Sequence, residues 1–356
     1  VIKLSQILAF AVRHGVSDIH LRPGKTPFFR RDGELVTQQN APEVTEGELT
    51  SWFASMAGER HVAQFQRDKE VDFATTVEEV GRFRVSAFQQ RDQLALALRH
   101  IPVAVRSVKE LGLPKKLEEI ALSPRGLILV TGATGSGKST TLAAMVQTIN
   151  RSRPCHILTI EDPIEYVYPD HRAIVSQRQI GTDTMTFASA LRSAVRQDPD
   201  VILLGELRDR ETAETALHAA ETGHLVLSTL HTVNAMETIQ RLVSLFPPHQ
   251  HDLVRSQLSS VLKAVVSQRL VRAKKGGRIP ACEVLIQTEL VRELVGDPER
   301  LFELEDAMEN GRNTYGMQTF DQALLDLVRS GTIHQEEALK NASRRASLQL
   351  ALDGFA

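Results

Sequence analysis

The eight residues from Gly132 to Ser139 read GATGSGKS and satisfy G-x-x-x-x-G-K-[ST] at every required position. Glycines at Gly132, Gly135 and Gly137 let the backbone curl until successive N–H groups point inward, and a polyphosphate is the ligand such a cradle fits. Lys138 is placed to reach the β- and γ-phosphates and Ser139 to hold Mg²⁺, with Thr134, Ser136 and Thr140 completing the nucleotide-contacting stretch. An apolar run precedes the motif and a helix-forming stretch, TTLAAMVQTI, follows it. The chain thereby supplies the strand, loop and helix N-terminus that the cradle needs.

Acidic groups extend this chemistry. In DPDVILLGE, the apolar residues Val201 to Leu204 put Glu206 just past a strand end, where a carboxylate can hold Mg²⁺ or one of its waters. TIEDPIEY contributes Glu161, Asp162 and Glu165 after another apolar run, and Pro163 stiffens the turn between them. Hydrolysis in line with a γ-phosphate needs a carboxylate that orients or deprotonates water, and spacing alone does not say which of the three serves. ATP and Mg²⁺ are the cofactors these groups call for.

The stretch AETGHLVLSTLH carries His224 and His231 at the two ends of an apolar run. A strand rises about 3.3 Å per residue, so the two imidazoles stand roughly 20 Å apart and cannot share one metal ion. His231 falls at the carboxyl end, on the phosphate side, where it could contact the γ-phosphate or a neighbouring acid. His224 falls at the opposite end.

These residues have to be positioned by the elements around them. LILVTG, HILTIED, VILLGE and LVLSTLH are short, continuously apolar runs, most of them separated by helical patterns. That pattern predicts a parallel sheet covered on both faces, with ligands bound beyond the carboxyl ends of its strands. Residues 1–105 read as a smaller α/β module: a helix over LSQILAFAVRHG closed by Gly15, then strand-like runs SDIHLRPG, PFFRRDGEL, VDFATTV and GRFRVSAFQQ. In the last run Phe83, Val85 and Ala87 alternate with Arg82, Arg84 and Ser86, so one face packs and the other presents guanidinium groups. Pro102, Pro114, Pro124 and Gly112 punctuate residues 102–124, and a linker carrying one short helix is expected over 106–124. The α/β core is expected over 125–290 and a helical region over 291–356. Beyond about residue 250 the reading is mostly helical, with VRSQLSSVLKAVVSQRLV as its clearest helix and RAKKGGR as a basic turn.

A length of 356 residues fits two domains and a tail. With 42 basic and 44 acidic side chains the formal charge is −2, which gives no dominant attraction to nucleic acid. The two cysteines, Cys155 and Cys282, fit a reducing compartment, cannot form a four-cysteine zinc site, and are expected to be small buried apolar residues. No apolar run approaches the roughly 20 residues of a membrane span, and the start at Val1 has no signal-peptide layout, so a cytoplasmic protein is expected.

In this order and at this spacing, GATGSGKST, ILTIEDPIEY, DPDVILLGELRDRET and AAETGHLVLSTLHT resemble the secretion-type ATPases, and within them the PilT-like motors that retract type IV pili. The likeness runs over nearly the whole chain, through SDIHLRPG and GRFRVSAF to SQRLV and GMQTFDQALLDLV. It implies a PAS-like N-terminal α/β domain joined to a RecA-like P-loop NTPase domain with a helical C-terminal region, assembled as a homo-hexameric ring. It also implies that Glu165 is the general base, Glu206 the Walker B carboxylate, and His224 and His231 the histidine box. Arg84 and Arg99 match the N-terminal arginines that reach the nucleotide in this family. The implied partners are an inner-membrane platform protein of the PilC type and a paralogous retraction ATPase, at the cytoplasmic face of the inner membrane; nucleic acid is not among them.

Two departures refine the resemblance. Assembly ATPases of the superfamily usually carry a tetracysteine zinc motif, which two distant cysteines cannot provide, so retraction is favoured over extension. Retraction motors often carry AIRNLIRE near the C-terminus, and here LVRELVGD, Leu290 to Asp297, keeps Arg292 and loses much of the rest. EEALKNA is similar to the accessory PilU-like paralogues. The expectation is an ATP-hydrolysing motor for pilus retraction and twitching motility, with an accessory retraction ATPase as the alternative. A nucleic-acid translocase on the same core is disfavoured by the near-neutral charge and the lack of aromatic-rich basic stretches.

Overall fold

The computed structural model describes residues 3–31, 33–38, 41–101 and 105–354. Val1 and Pro102, which entered the reading of the chain start and the linker, lie outside the described residues, as do Val103 and Ala104 at the expected domain boundary. Two compact units divide the chain: Val1–Ala104 with Pro163–Val167, and Val105–Asp162 with Tyr168–Ala356. The short excursion Pro163–Val167 contains Glu165, so this acid groups with the first unit although the chain on both sides of the excursion belongs to the second.

The first unit starts with helix α1 (Leu4–Arg13), ended by Gly15 in the left-handed region at φ 65°. Strands β1 (Asp18–Leu21), β2 (Phe28–Arg31) and β3 (Glu34–Thr37) follow, then helices α2 (Glu46–Met56) and α3 (Glu59–Asp68). Strands β4 (Glu70–Val77), β5 (Gly81–Gln90) and β6 (Gln93–Ile101) complete an antiparallel six-stranded sheet of order β3-β2-β1-β6-β5-β4. Phe83, Val85 and Ala87 are fully buried, as the alternation in β5 predicts, and they join Ile19, Leu21, Phe29, Phe73, Leu96 and Leu98 with helix residues such as Leu8, Leu49 and Phe53 in one core. The opposite face is polar. Register places Arg30, Asp18, Arg99 and Arg84 in one row across β2, β1, β6 and β5. Strand β6 was not among the runs singled out in the sequence, although QLALALRHI is what completes this row.

The second unit opens with helix α4 (Lys116–Ala121) and strand β7 (Gly126–Thr131), then helix α5 (Lys138–Ser152) and strands β8 (His156–Glu161) and β9 (Ile174–Gln179). Helix α6 (Phe187–Ala194), strand β10 (Val201–Leu204), helix α7 (Arg210–Glu221) and strand β11 (Leu225–Leu230) follow. Next come helices α8 (Ala235–Ser244) and α9 (His251–Val261), strands β12 (Leu262–Arg272) and β13 (Arg278–Ile286), and helix α10 (Glu289–Gly296). The sheet order is β13-β12-β7-β11-β10-β8-β9, parallel except for β13. The expected apolar runs are β7, β8, β10 and β11, and their side chains are buried on both faces, which is why they do not alternate.

One expectation is overturned. The stretch VRSQLSSVLKAVVSQRLV is not a single helix: it is helical only to Val261, and from Leu262 it is the strand β12. Val254, Leu258 and Val261 keep helical spacing, and the apolar residues after them continue it closely enough to hide the change. The β-branched pair Val265 and Val266, both fully buried, suits a central strand better than a helix. A register irregularity between Leu262 and Ala264 accommodates Lys263 against β7, after which β12 runs in step until Ser267 meets Thr131. The basic stretch RAKKGGR is a hairpin turn, closed by Ala273 N–H donating to Gly277 O at 3.1 Å.

Beyond α10 the described chain is helical to Leu352, and Leu324, Ile333, Ala338 and Leu348 pack on Val271 and Ala281 of the β12–β13 hairpin. The Arg269 guanidinium stacks 3.8 Å from the Phe320 ring centre on the same surface. Cys282 is buried, and burial pushes its thiol up to about 12. Cys155 departs from expectation: it lies just before β8, where the chain enters the sheet, and is only half-buried. No described helix is long and apolar enough to cross a membrane.

Candidate functional site

Strand β7 ends at Thr131 and α5 begins at Lys138, so Gly132 to Gly137 forms the loop between a core strand and a fifteen-residue helix. Gly132 (φ 141°) and Gly137 (φ 93°) lie in the region that favours glycine. Space forbids a side chain at either as well. A Cβ on Gly132 would stand 2.4 Å from the backbone oxygen of Gln268, and one on Gly137 would stand 2.7 Å from Gln268 Nε2. Lys138 is buried, and its ammonium donates to Gly132 O at 2.9 Å and Ala133 O at 3.1 Å, placing the charge inside the loop. Ser136 Oγ is buried without a hydrogen-bond partner, whereas Thr134, Gly135 and Ser139 are exposed and Thr140 is half-buried. Beside the loop is a cavity of about 280 Å³, bounded by residues 132–136, Val233, Gln268 to Leu270 and Arg278.

Glu206 and His231 stand at the same carboxyl edge. The strand carrying Glu206, β10, is separated from β7 by β11 alone, and β11 delivers His231 at its end. Glu206 is largely buried, with its side chain 13% exposed, and forms an ion pair through Oε1 with Arg208. Its other oxygen, Oε2, lies 3.4 Å from His231 Nε2 but without hydrogen-bond alignment, and it has no other partner. The hydrogen bond to Glu206, and its negative charge, raise the Arg208 guanidinium further above its usual range. Ser139 and Glu206 are oxygen donors of the kind a hard divalent cation takes. Among the described residues no group of three or more His, Cys, Asp or Glu could hold a metal ion.

Glu161 ends β8 on the same edge but is held differently. Its buried Oε1 accepts from Thr159 Oγ1 at 2.7 Å and from Gln177 Nε2 at 3.3 Å, bonds that fix it to β8 and β9. His224 precedes β11 at the far end, where its Nδ1 lies 2.9 Å from Ala219 O and 3.3 Å from Thr222 Oγ1, tying the strand start to the end of α7. The structure thus brings together Lys138, Ser139, Glu206, His231 and Glu161 along one strand edge and sets His224 at the other.

Within the first unit, Arg84 and Arg99 are direct cross-strand partners on β5 and β6. Arg99 Nε also bonds Asp18 Oδ1 at 2.7 Å while its side chain remains 64% exposed. Glu165 belongs to this unit and is half-buried.

Sequence reasoning missed three participants. Arg208 sits in the quoted stretch DPDVILLGELRDRET, but its pairing with Glu206 depends on the loop path after β10. Gln268 was hidden by the helical reading of β12; it is buried, donates through Nε2 to Ser136 O at 2.8 Å, and accepts from Thr141 Oγ1 at 2.6 Å. Glu283 on β13 is buried beneath the same edge. Its Oε1 accepts from Ala235 N at 2.7 Å and Ser267 Oγ at 3.1 Å, and Ser267 Oγ accepts in turn from Thr131 Oγ1 at 3.1 Å. Burial raises this carboxyl to about 7.

The family model for type II/IV secretion system proteins matches residues 1–350. The chain is 43% identical over 339 residues to the type IV pilus retraction ATPase PilT of Pseudomonas aeruginosa, covering 95% of this chain and 98% of that one. It is 40% identical over 351 residues to the type IV pilus ATPase PilU of the same organism, covering 98% and 91%. A crystal structure of the pilus retraction motor PilT with bound ADP superposes with a TM-score of 0.89 at 44% identity, covering 98% of this chain and 99% of that one.

Proposed function

The chain belongs to the type II/IV secretion system protein family, and we propose that within it this protein is the ATP-driven motor that retracts type IV pili and powers twitching motility. One observation carries the chemical part of this reading. A P-loop with its lysine inside, and a buried carboxylate beside an imidazole, lie on one edge of a parallel sheet with a single strand between them. That is the equipment for binding a nucleoside triphosphate and cleaving its terminal bond.

Lys138 and the loop N–H groups would bind the phosphates, with the α5 N-terminus adding its positive end. The residues fit Mg²⁺: Ser139 offers an exposed hydroxyl at the start of α5, and Glu206 a buried oxygen without an aligned donor. When bound, that ion would neutralise the charge that develops on the transferred phosphoryl group. Glu165 would accept the proton of the attacking water. His231, next to Glu206, would position or sense the γ-phosphate, and the anchored Glu161 would keep β8 and its turn in place. His224 would act, through the α7 contact, on the strand that carries His231. Arg84 and Arg99 would couple nucleotide state to domain motion in a homo-hexamer at the cytoplasmic face of the inner membrane, working on a PilC-like platform protein.

Deleting the gene and measuring pilus retraction tests the biological part. Lost retraction supports an autonomous motor. Normal retraction supports an accessory role beside a paralogous ATPase, an alternative that rests on the lower, 40% identity to PilU. Purified protein that lacks steady-state ATPase activity would overturn the motor reading altogether.

A further inference from the structure

We propose that Gln268 is a positioning residue that sets the phosphate-binding shape of the P-loop from beneath. The parallel register of β12 with β7 places Ser267 opposite Thr131, so the next residue arrives level with Gly132, where the loop begins. There the side chain bridges two parts of the motif. Nε2 donates to Ser136 O at 2.8 Å, and Oε1 accepts from Thr141 Oγ1 at 2.6 Å in the first turn of α5.

The orientation of this amide follows from its partners. A backbone carbonyl can only accept, so the amide nitrogen must face Ser136, and the oxygen is left for the Thr141 hydroxyl. A trans peptide holds its C=O and N–H on opposite sides. Pinning Ser136 O toward β12 therefore turns the Gly137 N–H away from the sheet, toward the interior of the loop, where a phosphate oxygen would accept it. Gln268 is only 3% exposed, so water does not replace it. Its closeness also explains one glycine of the motif: a Cβ at Gly137 would strike the side-chain amide, whereas the clash at Gly132 is with the backbone oxygen of residue 268.

This inference rests on the P-loop being the nucleotide site, and the experiment separates the two. Full-length protein is titrated with fluorescent N-methylanthraniloyl-ADP, and the melting temperature is recorded with and without ADP. Measured at pH 9, where the introduced carboxyl is ionised, Gln268→Glu presents an oxygen to Ser136 O in place of a donor; Thr141→Val frees the amide oxygen without touching the donor arm. The expected result is about a tenfold or greater loss of affinity for Gln268→Glu, the scale of one buried hydrogen bond made repulsive, and a smaller loss for Thr141→Val. In steady state, KM for ATP rises more than kcat falls, and the ADP-induced rise in melting temperature shrinks. Gln268→Asn, which is too short to span both partners, should not restore affinity. If Gln268→Glu binds the probe like the parent while Lys138→Ala loses it, the positioning role is wrong and the P-loop reading stands. If Lys138→Ala also binds normally, the P-loop reading itself falls. If Gln268→Glu does not fold, unchanged affinity in Thr141→Val and Gln268→Asn overturns the proposal.

Discussion

His231 Nε2 and Glu206 Oε2 stand 3.4 Å apart beyond two paired strands, His231 directly after β11 and Glu206 two residues past the end of β10. Strands β10 and β11 are buried and laddered on both sides, which fixes the strand ends from which the two residues leave. His231→Ala should lower kcat for ATP hydrolysis by about 10- to 100-fold with KM nearly unchanged, the pattern of a group that acts in the transition state. His224→Ala should leave a larger residual rate, since its bonds reach only the end of α7. Equal losses would remove the distinction between the two ends of β11.

Glu206→Gln keeps the shape of the side chain and removes the charge a divalent cation needs. The Mg²⁺ concentration for half-maximal ATPase activity should rise by about tenfold or more, and chelation with EDTA should abolish activity in the parent. An unchanged Mg²⁺ dependence would exclude Glu206 as a metal-serving group.

Glu165→Gln should reduce ATP turnover by about 100-fold or more while nucleotide binding persists, because a water-activating carboxylate contributes on that scale. Hydrolysis at the parental rate would exclude Glu165 as the base.

Arg84→Ala and Arg99→Ala separate stability from function. Arg99 is mostly exposed and the largely buried Asp18 keeps a hydrogen bond from Ser17 Oγ at 2.8 Å, so losing the pair should cost only about 1–2 kcal/mol of stability. The melting temperature should fall only slightly while steady-state ATPase activity falls, most clearly in the double variant. Unchanged activity would leave the arginine row with a structural role only.

Glu283 gives the protein a pH dependence that can be assigned in advance. Its carboxyl is raised by burial from 4.5 to about 7, so the folded state favours the protonated form. The stability this confers is full below about pH 4.5 and is lost as pH rises through 7. Glu283→Gln preserves an acceptor for Ala235 N and Ser267 Oγ without the ionisation. It should be more stable than the parent at pH 8, by up to about 3 kcal/mol, with the gain vanishing near pH 4.5. Denaturant titrations at the two pH values check the sign.

The P-loop and the strands β7, β8, β10 and β11 were readable because strands buried on both faces leave continuous apolar runs, and chemistry gathers where those runs stop. His224 and His231 likewise emerged at opposite ends of β11. What escaped was decided by tertiary partners. The residues of β12 carry on the spacing of α9, so only pairing with β7 determines that they are a strand, and with that strand went Gln268 and the supporting role of Ser267. Arg208 is one of several arginines in its stretch, and nothing in its spacing marks it as the partner of Glu206. Glu283 is a lone acid in an apolar strand, and its meaning lies in Ala235, whose N–H it accepts from 48 residues away.

The irregularity at Lys263 has a consequence for how this chain tolerates changes of length. Leu262 is placed by the end of α9, and Gln268 must be placed by the phosphate loop; a perfectly regular strand would force one to follow the other. Lys263, between Leu262 and Ala264, has no register partner on β7, although its carbonyl accepts from Gln287 N–H at 2.9 Å, and it is the extra residue in that connection. A one-residue deletion can be taken up there by straightening the strand, with Ser267 still opposite Thr131. The end of α9 and the phosphate loop are therefore not bound to one continuous strand register, and the contact beneath the loop keeps its own.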